Sequence, residues 1–196
     1  MRRIAGAFVV FLASTAVAAA APITYTTMLS GGAESPPNAS LGSGFATVTI
    51  DTVAHTLDVS AVFADLTGLT TASHIHCCTA VAGAGLAGVA TETPTFSLFP
   101  LGVKSGAFSE SYDLTDPASF NSPFVAGNGG TAAGAEAALA AGLAGGMAYL
   151  NIHTEFARGG EIRGFLAPKQ VPVPEPVSLS LLGLGLAGLA VRRRRA

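Results

Sequence analysis

Strict alternation of apolar and polar residues in the first half of the chain is the feature that most constrains its fold. Two successive runs, residues 44–51 and 57–63, each place an apolar residue at every second position. Because successive side chains of a strand point to opposite faces, each run predicts a strand with one buried face. The four residues 52–55 join them as a hairpin. The chain must therefore build its core around an antiparallel sheet.

Six further runs predict strands, and one predicts a helix. The additional strand-like runs are residues 23–29, 72–78, 93–99, 106–112, 147–154 and 161–167. The alanine-rich run 131–143 ends at Gly145-Gly146, which is typical of a helix with a glycine C-cap. The predicted fold is all-β, an antiparallel sandwich or Greek-key barrel with one lateral alanine-rich helix. The core residues predicted are Val48, Ile50, Leu57, Val59, Phe63, Leu150 and Ile152.

The first twenty residues have the three parts of a secretory signal peptide. A basic start, Met1-Arg2-Arg3, precedes ten apolar residues, and small residues then lead to Ala18-Ala19-Ala20. Ten apolar residues are too few to span a bilayer. We therefore expect signal peptidase to remove residues 1–20, leaving a mature domain over residues 21–168.

The C-terminal end has a second ordered set of elements. A proline-rich linker over residues 169–176 contains Pro174-Glu175-Pro176, an uncharged apolar segment follows, and the chain closes with Arg192, Arg193, Arg194 and Arg195. Residues 173–196 resemble the PEP-CTERM sorting signal of Gram-negative bacteria. The resemblance implies an exosortase-type partner and an inner-membrane anchor, formed by the apolar segment before processing. The positive-inside rule places the four arginines in the cytoplasm. We expect the mature domain at the cell surface, in the outer envelope or outside the cell.

The charge of the predicted domain argues against a nucleic-acid partner. Between residues 21 and 170 there are four Lys or Arg and eleven Asp or Glu, which gives a net charge of −7. A protein that binds nucleic acid neutralises phosphates with a basic patch, and this domain has none.

Four separated motifs carry a resemblance to the CHRD domain, which is named for chordin. They are Leu29-x-Gly31-x-x-Glu34-x-Pro36-Pro37, His74-Ile75-His76, Tyr149-Leu150-Asn151-Ile152-His153-Thr154 and Gly160-Glu161-Ile162-Arg163-Gly164. The match covers about residues 23–167. It implies an immunoglobulin-like or related β-barrel and no reaction. Within these motifs, Glu34, Asn151, Glu161 and Arg163 are predicted to be structural, with Glu161 and Arg163 as a fold-stabilising ion pair.

Three of the four histidines lie in these motifs and form a candidate metal site. His74 and His76 are two residues apart on a predicted strand, so they project from one face. If the fold brings His153 to the same place, three neutral imidazoles could hold zinc or copper. The alternative is a hydrogen-bonded network in which the histidines, Asn151 and Glu34 satisfy buried polar groups.

The same histidines resemble part of the copper site of copper/zinc superoxide dismutases. In that comparison His74, His76 and His153 correspond to copper ligands and Arg163 to the residue that guides the anion. The chain has no histidine for the bridging position, no zinc-loop histidine cluster and no long-range disulfide. The resemblance therefore implies copper binding rather than dismutase turnover.

Cys77 and Cys78 are the only cysteines, and export would place them in an oxidising compartment. They can bond to each other, bond to another chain, or serve as additional soft ligands that favour Cu(I). The sequence leaves these alternatives open.

Two functions follow from these patterns, and neither includes a catalytic residue. The first is a non-enzymatic envelope or matrix module that binds a polysaccharide or protein or has a structural role. The second is a copper-binding protein with a three-histidine site and a redox role.

Overall fold

An antiparallel sheet dominates the fold of the described part of the chain, residues 21–169 of a computed structural model. The strands are β1 Ile23–Ser30, β2 Ser43–Asp51, β3 Thr56–Ala64, β4 Thr70–His76, β5 Gly106–Asp113, β6 Tyr149–Thr154, β7 Ile162–Phe165 and β8 Ala167–Pro168. The sheet order is β4-β6-β7-β1-β2-β3-β5, with β8 paired to β1. The sheet curls into a half-barrel, which confirms the all-β prediction.

The predicted hairpin and the predicted core are both present. β2 and β3 pair along their whole length, from Ser43 with Ala64 to Asp51 with Thr56. All seven residues predicted for the core are buried. Their strands supply the side of the sheet that packs against the interior, so alternation in the sequence set the buried face correctly.

Two helices cover part of the sheet: α1 Ser122–Gly127 and α2 Ala132–Ala144. Thr131 caps α2 because its side-chain oxygen accepts a hydrogen bond from the Gly134 N–H. Leu139 and Leu143 of α2 are fully buried in the core. The predicted alanine-rich helix is therefore confirmed, displaced by one residue. Within residues 21–169, no helix has both the length and the hydropathy needed to cross a membrane.

Three details of the strand prediction were wrong. Residues 93–99 form no strand, because Pro94 lacks a ladder donor and the Ser97 N–H bonds to the Glu92 carboxylate, closing a turn. β4 ends at His76 rather than residue 78. The run 161–167 is divided between β7 and β8 at Leu166, whose N–H bonds to the Ala148 carbonyl.

Candidate metal centre

The pairing of β4 with β6 brings the three motif histidines to one place. His74 lies opposite Asn151, and His76 lies opposite Tyr149. His153 is two residues beyond Asn151, so it projects from the same face of the ladder. One ring nitrogen from each of His74, His76 and His153 lies within 4.8 Å of the others.

The opposite face of this ladder is part of the core. Ile75, Leu150 and Ile152 are fully buried there, and the Ser73 hydroxyl bonds to the Asn151 carbonyl. Because the core fixes both strands from behind, the histidine face cannot slip by one residue without exposing these side chains. The register that buries the core is thus the register that assembles the cluster.

A backbone carbonyl from a loop holds one nitrogen of each imidazole, two from the connection between β4 and β5 and one from the connection between β6 and β7. His74 Nε2 lies 2.8 Å from the Pro94 oxygen, His76 Nδ1 lies 2.9 Å from the Ala87 oxygen, and His153 Nδ1 lies 3.0 Å from the Arg158 oxygen. A carbonyl oxygen only accepts, so each of these nitrogens carries the proton and donates it. The remaining nitrogen of each neutral ring therefore has a free lone pair.

The free nitrogens are not satisfied by the protein. His76 Nε2 and His153 Nε2 lie 3.4 Å apart, and in the tautomers fixed by the carbonyls both are acceptors. His74 Nδ1 is buried and has no hydrogen-bond partner. A purely structural network would leave these lone pairs unpaired at a cost in stability.

The surroundings keep the three rings neutral. Burial lowers the pKa of His74 and of His76 to about 4, although their carbonyl partners act in the opposite direction. Burial also lowers the pKa of His153 below its ordinary value. All three imidazoles are therefore uncharged at pH 7, which is the form that binds a metal ion.

Two further side chains hold the ring of His76 in place. The Tyr149 ring stacks on the His76 ring, with centroids 4.9 Å apart and planes within 6° of parallel. The Arg163 guanidinium lies over the Tyr149 ring, 4.7 Å from its centroid. The Tyr149 hydroxyl also donates to the Ala87 oxygen, which accepts from His76. Tyr149 therefore positions both the ring of His76 and its carbonyl partner.

Arg163 does not pair with Glu161, so the predicted ion pair was wrong. Arg163 Nε donates to the Ala33 oxygen and lies 3.7 Å from a carboxylate oxygen of Glu34, while Nη1 donates to the Gly85 oxygen. The register of β7 with β6 and β1 directs Arg163 towards the loop that carries Glu34. Its side chain is only 4 % exposed, so it is not placed to guide an anion from solvent.

Glu161 instead anchors the loop after β3. Its carboxylate accepts hydrogen bonds from the Thr67 and Gly68 N–H groups and from the Ser40 and Thr154 hydroxyls. Burial raises the pKa of Glu161, but these four donors together lower it below its ordinary value. The carboxylate is therefore charged at neutral pH without a cationic partner, because hydrogen bonds stabilise it.

Asn151 lies between the cluster and the hairpin that joins β6 to β7. Its amide nitrogen donates to the Gly159 oxygen at 3.4 Å, and its buried amide oxygen has no partner. Gly160 has φ +135°, and a Cβ at this position would collide with the Asn151 side chain. The glycine is therefore required by the close approach of the hairpin to Asn151.

Cys77 and Cys78 form a disulfide with each other. Cys77 is buried in the core and Cys78 is exposed, and both sulfurs face Gly142 of α2. A disulfide sulfur is not a thiolate, so in this state the predicted additional metal ligands are absent from the cluster. The ligands that the structure offers are the three imidazoles.

Sequence reasoning missed the supporting groups. Alternation along the strand places Tyr149 on the same face as Asn151 and His153, but no supporting role was predicted for it. The carbonyls of Ala87, Pro94 and Arg158 lie in loops and have no signal in the sequence. The fourth histidine, His55, stands apart, with Nδ1 2.8 Å from the buried Glu136 carboxylate.

The predicted signal peptide and sorting tail lie outside the described residues, and so do Pro174, Glu175, Pro176 and Arg192 to Arg195. Comparison with protein-family models gives two matches. The model described as the CHRD domain matches residues 25–166, and the PEP-CTERM protein-sorting motif matches residues 172–195. No match was found among curated proteins or among solved structures.

Proposed function

The chain belongs to the CHRD domain family and is an exported, membrane-processed surface protein by its sorting motif, and we propose that its β-domain binds a copper ion. His74, His76 and His153 are the ligands in this proposal. The domain acts as a non-enzymatic binding module at the cell surface, where it holds the metal.

One observation carries the proposal: the orientation of the lone pairs in the histidine cluster. Three carbonyls from two loops fix the protons of the imidazoles, and within residues 21–169 the unprotonated nitrogens face one another without a donor. A metal ion would accept the lone pairs of these nitrogens, which have no hydrogen-bond donor in the described part of the chain. In this arrangement the ligands are His74 Nδ1, His76 Nε2 and His153 Nε2.

Copper is favoured by the chemistry of the donors. Neutral imidazole binds both zinc and copper, and copper is higher in the usual affinity order of divalent ions. Three protein ligands also leave a coordination position for an external ligand. Because copper changes between Cu(I) and Cu(II), a copper ion here supports one-electron exchange, whereas zinc would not.

The test is the metal content of the untagged full chain, purified from the cell envelope and treated with a chelator. After addition of Cu(II) or Zn(II) and removal of excess, we expect about one copper ion per chain and weaker retention of zinc. Electron paramagnetic resonance should show coupling to imidazole nitrogens. His153 is the most exposed of the three ligands, so His153→Ala should abolish stoichiometric copper with little effect on folding.

The matched control is His55→Ala, which removes the histidine outside the cluster. It should retain copper, even if loss of the contact with Glu136 lowers its thermal stability. A parent chain that retains no copper would refute the proposal. Equal copper in the parent and in His153→Ala would also refute it.

A further inference from the structure

A solvent-facing, mostly uncharged face lies on the other part of the sheet, away from the histidine cluster. It is the outward face of β1, β2, β3 and β5, which pair in that order. Register aligns one apolar row across all four strands. Its members are Met28, Phe45, Val62 and Ala107, and all are exposed. Four aligned apolar side chains on a solvent-facing sheet are unusual for a face that contacts only water.

Two rows run parallel to the apolar row, and seven of their eight residues have a hydroxyl group. The nearer row consists of Thr26, Thr47, Ser60 and Ser109, and the farther row consists of Thr24, Thr49, Asp58 and Ser111. Strands in a sheet are about 4.7–4.9 Å apart, so the hydroxyls of one row repeat at about that interval. The face thus combines an apolar strip with regularly spaced groups that both donate and accept hydrogen bonds.

The three rows of the face carry little charge. Asp58 is the one charged residue among the twelve positions of the three rows, and Asp51 and Asp113 lie in the next row at the edge of the same face. A shallow depression of about 400 Å³ runs along the face and is lined by Phe45, Thr47, Ser60, Val62 and Ser109 among others. A second, of about 260 Å³, adjoins it at Met28 and Phe45.

We propose that this face binds a neutral polysaccharide. A sugar ring has an apolar C–H face, which would lie on Phe45 and Val62, and a rim of hydroxyls, which would bond to Thr47, Ser60 and Ser109. A neutral chain matches the apolar row and the nearer hydroxyl row, which hold no charged residue, and the carboxylates of the rest of the face and of the domain repel polyanions. Two copies of a domain with charge −7 also repel each other, which disfavours self-association through this face.

The experiment is affinity electrophoresis of the full chain, purified from the cell envelope, in native gels. The gels contain laminarin, dextran or galactomannan as neutral polysaccharides, or alginate as an anionic one. We expect retardation by at least one neutral polysaccharide and none by alginate. Phe45→Ser should raise the dissociation constant about tenfold or more, because it removes the one aromatic ring on the face.

A control variant and a milder variant keep the test decisive. Leu41→Ser removes an equally apolar side chain that is 90 % exposed and lies outside the face, so it should leave retardation unchanged. Thr47→Ala removes a single hydroxyl from a half-buried position on this face and should weaken binding with little effect on the fold. No retardation by any of the three neutral polysaccharides would overturn the proposal. Equal retardation of Phe45→Ser and parent, or a dimer that Phe45→Ser dissociates, would overturn it as well.

Discussion

Glu34 is a carboxyl group on which burial and a neighbouring charge act in opposite directions. It is buried in the loop after β1, 3.7 Å from Arg163, and one of its oxygens has no hydrogen-bond partner. Burial raises the pKa of Glu34 more than Arg163 and the Ser35 N–H lower it, and the resulting value is about 7. The folded protein therefore holds a proton on Glu34 that the unfolded chain would release near pH 4.5.

This raised pKa predicts how Glu34→Gln changes the pH dependence of stability. A group with a raised folded-state pKa stabilises the fold fully below its unfolded value, and that contribution is lost as the pH rises through the folded value. Glutamine has no proton to lose. The stability of Glu34→Gln relative to the parent should therefore increase between pH 4.5 and 7.5, by about 3 kcal/mol at most. Urea unfolding of the metal-free proteins at several pH values measures the difference.

Glu155→Gln is the matched control for this experiment, because it removes an exposed carboxylate. Its stability relative to the parent should change much less over the same range. A difference between Glu34→Gln and the parent that stays constant or falls as the pH rises would contradict the assignment.

Residue identities were predicted from the sequence more reliably than residue partners. The His-x-His spacing indicated two imidazoles on one face because alternation along a strand is a local property. The partner of Arg163 depends on strand order, which places the loop of Glu34 beside β7. Glu161, two residues away along the chain, looked the nearer partner but is occupied by the Thr67 and Gly68 N–H groups.

Among the structural elements, α2 makes a close contact with the disulfide that follows β4. Gly142 is buried on the side of α2 that faces the Cys77–Cys78 disulfide at the end of β4. A Cβ at position 142 would collide with both sulfurs. Glycine weakens a helix by itself, but at this position the disulfide occupies the space that a larger side chain would need.

Gly142→Ala should therefore destabilise the protein although alanine is the better helix former. Overpacking costs about 1–3 kcal/mol, which exceeds the gain of up to about 1 kcal/mol in helix propensity. Gly127→Ala is the control, since a Cβ at this position in α1 meets no atom within 4 Å. It should be neutral or slightly stabilising. Free energies of unfolding from urea titration distinguish the two variants. A Gly142→Ala variant as stable as Gly127→Ala would show that α2 does not pack closely against the disulfide.

The elements themselves were predictable where one local signal determined them. Alternation placed β2 and β3, and alanine content with a glycine stop placed α2 within a residue. The run 93–99 has a composition typical of a strand but contains Pro94, and the Ser97–Glu92 hydrogen bond turns the backbone away from a ladder. The end of β4 at His76 could not be predicted either, because the loop after β4 determines it. The Cys77 N–H bonds to the Gly88 oxygen of that loop.

The whole molecule combines a surface-sorting tail with a β-domain on which we propose two separate binding faces. The histidine cluster lies on β4 and β6 at one side of the half-barrel, and the mostly uncharged face lies on β1, β2, β3 and β5 at the other. A polysaccharide on the second face would leave the first accessible. In this arrangement one face attaches the domain to the envelope while the other holds metal.

We expect delivery of these faces to the cell surface to depend on the four C-terminal arginines. They follow an apolar segment and, by the positive-inside rule, stay in the cytoplasm while the domain is outside. Deletion of Arg192 to Arg195 removes the charge that stops transfer, so the chain should no longer be held for processing at the Pro-Glu-Pro motif. We expect a strong loss of surface protein on fractionation, and a C-terminus by intact mass that differs from that of the parent.

Replacement of all four arginines by lysine preserves the charge and should preserve delivery. Unchanged delivery after the deletion would show that the arginines do not orient the tail, whereas loss with lysine would mean that sorting recognises arginine itself rather than its charge.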